Sequence, residues 1–69
     1  MLRNRVRELR ARHGYSQTAL ANRVDVTRQT IGFIEKGEFS PSITLSLKLA
    51  KELQISVDEL FWLEEDLDE

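Results

Sequence analysis

Apolar residues recur at helical spacing along most of this chain, and short polar punctuation divides them into five segments. Val6 and Leu9 mark the inward face of a first helix, Arg3 to Arg12. Arg3, Arg7 and Arg10 lie on its adjacent faces, and Gly14 is placed to end it. Leu20, Ala21 and Val24 predict a second helix from Gln17 to about Val24, and Asp25-Val26 a turn. Ile31 and Ile34 predict a third, Arg28 to Lys36, which Gly37 stops in the left-handed conformation. Ser16 and Thr27 stand just before these runs, where an N-cap is expected. Residues 38–42 read as a loop. Ser42 caps a fourth helix, Ile43 to Leu53, or Ser40 does so if Pro41 takes the first helical position. Ser56 followed by Glu59 is a capping box opening a fifth helix, Val57 to Phe61. No segment alternates convincingly as a strand. The expected fold is all-α, a single domain over residues 1–63 with an acidic tail, 64–69.

The third helix has two unlike faces. With Ile31 inward, Ile34 and Thr27 fall within about 60° of it, while Gln29, Phe33 and Lys36 point almost opposite. Arg28 and Gly32 lie beside those three. Arg and Gln can read base edges bidentately in the DNA major groove, so two short helices and a tight turn over about 16–36 point to a helix-turn-helix. Gln29 suits adenine N7 and N6. Arg28 suits guanine or a phosphate, and the residues alone do not choose. Phe33 suits a thymine methyl, or packing against Phe39 or a neighbouring helix. Gly32 costs about 1 kcal/mol relative to Ala in mid-helix, which fits a close backbone approach or a neutral glycine equally. Gln17 opens the second helix, where N–H groups favour a phosphate. Lys36 and Ser40 are placed for phosphate at the far side of the groove, and Arg23 for a solvated face.

Charge changes the picture where its distribution is concerned. The chain carries a net −2, but residues 1–37 hold eight Lys/Arg against three acids, and residues 38–69 two Lys against nine acids. A basic half can meet a polyanion while an acidic half faces away, because phosphate attraction is local and screened. The fourth helix is more apolar than one core face needs. Ile43, Leu47, Ala50 and Leu53 form the expected buried stripe, with Leu49 beside it. Leu45 falls off that stripe, and Trp62 and Leu63 lie beyond the last helix. Leu45, Phe61, Trp62 and Leu63 therefore form a candidate self-association surface.

The order of residue types resembles the Cro/CI (Xre-type) repressor family. The matching residues are Leu9-Arg10, Ser16-Gln17, Leu20-Ala21, Val24, Val26, Thr27 through Ile31, Ile34-Glu35 and Gly37. The match continues through Pro41-Ser42-Ile43, Leu49-Ala50, Leu53 and Ser56 to Leu60-Phe61. This resemblance covers about residues 2–62. It implies a five-helix lambda-repressor-like DNA-binding domain that dimerises through its C-terminal part. It also implies that Gln17 touches the DNA backbone and supports Gln29, and that Arg10 and Glu35 form a structural ion pair. The candidate DNA contacts are then Ser16, Gln17, Thr27, Arg28, Gln29, Thr30, Phe33, Lys36 and Ser40.

An enzyme reading has little to stand on. His13 is the single histidine and there is no cysteine, so no nucleophile–base pair, metal cluster or phosphate-binding glycine loop is visible. No cofactor, metal or small-molecule ligand is expected, and no membrane span. The missing cysteine and the absence of an apolar leader fit a cytoplasmic protein. The favoured expectation is a regulator of transcription, in the repressing direction, binding double-stranded DNA as a homodimer. The alternative is a protein-interaction module, such as an antitoxin or adaptor, working through Leu45, Phe61 and Trp62.

Overall fold

The computed structural model describes residues 1–65; residues 66–69 of the acidic tail lie outside the described residues. The element order is β1 (Leu2–Asn4), α1 (Val6–Arg12), α2 (Gln17–Arg23), α3 (Arg28–Glu35), α4 (Ile43–Leu53), α5 (Val57–Leu60) and β2 (Phe61–Leu63). The five expected helices are present, and the fold is mostly helical with one small sheet.

Capping chemistry sets most of the boundaries. Ser16, Thr27 and Ser42 sit in extended backbone, and their hydroxyls accept the N–H groups of Ala19, Thr30 and Leu45. Ser42, not Ser40, thus opens α4. Gly14 and Gly37 take positive φ after α1 and α3. The α2–α3 turn bends through Asp25 at φ +62°, a conformation that Asp tolerates better than most residues. Ser56 behaves differently from a capping box: its hydroxyl donates to Glu59 Oε1 at 2.8 Å and makes no side-chain bond to the backbone. The helix it opens runs only four residues.

The two termini correct the expected helix ends. Arg3 and Asn4 do not begin α1, which starts at Val6, and Phe61 does not end α5; with Leu2, Trp62 and Leu63 they form two short strands. They pair instead as an antiparallel ribbon in the register Leu2↔Leu63, Arg3↔Trp62 and Asn4↔Phe61. The Arg5 N–H to the Leu60 carbonyl and the Glu64 N–H to the Met1 carbonyl lengthen the ladder at both ends. Asn4 joins ribbon to helices. Its Oδ1 accepts the Val6 N–H at 3.0 Å, and its Nδ2 donates to the Ile34 carbonyl at 2.9 Å, at the end of α3.

The core gathers every helix: Val6 and Leu9, Leu20, Ala21 and Val24, Ile31 and Ile34, Leu49, Ala50 and Leu53, and Leu60. Within α4 the buried side is rotated from the expected stripe. Ser46 is buried beside Leu49, its hydroxyl donating to the Ser42 carbonyl at 2.8 Å, which removes the cost of an unpaired polar group. Leu45 turns inward and packs against the core, contrary to the exposure expected of it. Ile43 and Leu47 are instead the outward apolar pair, 71% and 54% exposed. Among the described residues no helix is long and apolar enough to cross a membrane.

Candidate nucleic-acid interface

Burial of Ile31 and Ile34 fixes the roll of α3 about its axis and hence what it offers outward. Arg28, Gln29, Phe33 and Lys36 are exposed on the opposite side. With Gln17 and Gly32 they line one open groove. Gln17 enters from the first position of α2, which packs closely on α3. Gly32 lies in the groove floor, where a Cβ would meet only Gln17 Nε2, at 3.8 Å, an ordinary contact. Phe33 stands 47% exposed at the rim, so it is no part of the core.

The remaining candidate contacts sit around the groove. Ser16 and Thr27 spend an acceptor lone pair on capping, and Thr27 Oγ1 lies 3.1 Å from Thr30 Oγ1. Both capping residues are exposed and Thr30 is half-buried. Ser40 is exposed on the loop after α3 and lines no part of the groove.

Behind the groove lies an ionic brace. Arg10 Nε donates to Glu35 Oε2 at 2.6 Å, and Arg10 NH1 to the Tyr15 carbonyl at 3.0 Å. The two side chains are 17% and 5% exposed. Gln17 Nε2 donates to Glu35 Oε1 at 3.0 Å. Sequence reasoning did not anticipate this bond. It sends the Gln17 amide to Glu35 rather than to Gln29, although both glutamines line the groove. The brace ties α1, α2 and the end of α3 together and cancels the charge of Glu35 beside the groove.

Among the other cations, Arg5 and Lys51 lie off the groove without a carboxylate partner among the described residues, Arg5 over the Trp62 ring at 5.7 Å. Arg3, Arg12, Arg23 and Lys48 are paired with Glu64, Glu8, Glu52 and Asp25. Arg28 and Lys36, on the groove, have no carboxylate partner among the described residues, nor has Arg7 on the adjacent face of α1. The surface therefore combines amide and guanidinium hydrogen-bonding groups, one apolar ring and uncompensated positive charge. That is what a sequence-reading contact with duplex DNA needs. The described residues contain no group of His and acidic side chains able to hold a metal ion.

Comparison with known proteins gives the same picture. A family model described as helix-turn-helix matches residues 6–60. The uncharacterized HTH-type transcriptional regulator YgzD of Bacillus subtilis is 51% identical, over 94% of this chain and 98% of its own length. Among solved structures, the restriction-modification controller protein C.AhdI of Aeromonas hydrophila superposes with a TM-score of 0.73 at 40% identity. That match covers 80% of this chain and 83% of the other. A transcriptional regulator from Listeria innocua superposes with a TM-score of 0.76 at 26% identity, over 93% of this chain and 61% of that one.

Proposed function

Because the chain belongs to the Cro/CI-type helix-turn-helix family of DNA-binding transcriptional regulators, not to an enzyme family, we propose that it is a sequence-specific repressor. It acts as a homodimer on an imperfect palindrome, with α3 in the major groove and residues 1–63 as the working unit. One observation carries the reading. The exposed side of α3 presents Arg28, Gln29, Phe33 and Lys36 around an open groove that Gln17 completes. Gln29 reads adenine, Arg28 pairs with guanine or a phosphate, and Phe33 meets a thymine methyl. Ser16, Gln17, Thr27, Thr30, Lys36 and Ser40 hold the backbone on either side.

The case for a dimer is physical. One eight-residue helix reads only a few base pairs, and two copies related by a two-fold axis double the contacts. Apolar side chains left uncovered in the C-terminal half, among them Ile43, Leu47, Trp62 and Leu63, support an interface there. Leu45 and Phe61 are both partly buried against the core, and Ile43 and Leu47 take over the exposed part of that role. Sedimentation at micromolar concentration is expected to give a dimer, and Leu47→Asp a monomer with an intact fold. A wild-type protein that stays monomeric alone and on its DNA site would overturn both interface and palindrome.

A further inference from the structure

We propose that Arg7, which is absent from the contacts legible in the sequence, joins Lys36 in holding one backbone phosphate of duplex DNA, at a seat beside the α3 groove. The proposal rests on the DNA-binding reading above and extends it to α1. A second concavity adjoins the groove, lined by Arg7, Arg10, Gln17, Gly32, Glu35 and Lys36. Gln17, Gly32 and Lys36 border both depressions, so a strand lying in one continues into the other.

The charges in this seat do not balance. Arg10 and Glu35 neutralise one another at 2.6 Å, and the Arg10 NH1 is committed to the Tyr15 carbonyl. Arg7 and Lys36 remain, both exposed and without a carboxylate partner among the described residues. Two uncompensated cations around one depression repel each other, and a shared anion turns that repulsion into attraction. Gly32 leaves the boundary between the depressions without a side chain. A phosphodiester fits this chemistry: one delocalised negative charge with two free oxygens, one for each cation. Arg7 comes from α1 and Lys36 from the C-cap of α3. One phosphate between them would fix the angle of α3 in the groove.

The experiment is the salt dependence of binding, on random duplex and on a selected site, for wild type, Arg7→Gln, Lys36→Gln and the double variant. Arg12→Gln, on an exposed pair away from both depressions, is the control. Each phosphate neutralised contributes about 0.9 to the slope of log affinity against log salt. Because the dimer carries two such seats, one per half-site, the double variant is expected to lose about 1.8 units of slope, each single variant a part of it, and the losses to be equal on both DNAs. A neutral methylphosphonate at one backbone position per half-site should weaken wild type and leave the double variant unchanged. An unaltered slope for Arg7→Gln, with wild type still binding DNA steeply with salt, overturns this proposal alone. A loss of about 3.6 units in the double variant, one phosphate for each of the four cations in the dimer, overturns the shared phosphate. No binding by wild type overturns the DNA-binding reading with it. Thermal melts equal to wild type exclude misfolding, as both side chains are exposed.

Discussion

Arg10→Ala is expected to cost about 3–5 kcal/mol, the range found when one partner of a buried ion pair is removed. For a chain of this length the whole stability is on the order of 3–10 kcal/mol, so the variant should be largely unfolded well below the wild-type midpoint. The size of the effect follows from what remains. The Glu35 side chain, 5% exposed, keeps only the Gln17 amide as a partner. The Tyr15 carbonyl loses its guanidinium donor as well. Glu35→Ala should cost less, because the orphaned guanidinium is 17% exposed and can turn toward water. Replacing both by apolar residues of similar size, Arg10→Met with Glu35→Leu, should recover most of the loss, since no charge is then stranded. Urea unfolding of wild type, Arg10→Ala, Glu35→Ala and the Arg10→Ala/Glu35→Ala double variant closes the cycle, with Arg10→Met/Glu35→Leu measured beside it. A coupling energy indistinguishable from zero would reduce the brace to an ordinary surface pair.

Gln29→Ala is expected to weaken binding to the specific site by about 1–3 kcal/mol and to relax preference at one base position in each half-site. Binding to random duplex should hardly change. The side chain projects from the first turn of α3, away from the buried Ile31 and Ile34, and touches nothing that supports the fold. Its removal therefore subtracts recognition without subtracting stability. Titration of both DNAs at matched salt checks this. Equal losses on both would make Gln29 a phosphate contact.

The helices were readable because their signals are local. A Ser or Thr before an apolar run, and a glycine after it, declare Ser16, Thr27, Gly14 and Gly37 within a few residues of the structure they produce. The outward face of α3 followed for the same reason, since two buried isoleucines set the wheel. The β1–β2 ribbon was not readable. Three-residue strands carry no measurable alternation, and the partners lie about sixty residues apart in sequence. The roll of α4 was misjudged because apolar residues occur around much of its circumference. Ser46, a polar residue, occupies a core position that only its bond to the Ser42 carbonyl makes tolerable. Leu45 and Leu47 exchanged places as a consequence. At the site, Arg10 and Glu35 were suggested by family resemblance, whereas the Gln17–Glu35 bond and the place of Arg7 depend on how α1 and α2 pack on α3. No spacing along the chain encodes that packing.

The central claim is that α3 reads base sequence as one half of a two-fold pair. Selection of bound duplexes from a random pool tests it most directly. The account predicts enrichment of two inverted half-sites one helical turn apart, about 34 Å centre to centre, with an information-bearing position lost in parallel selections with Gln29→Ala. A bound pool that stays as random as the input, or that converges on a single unrepeated half-site, would contradict it.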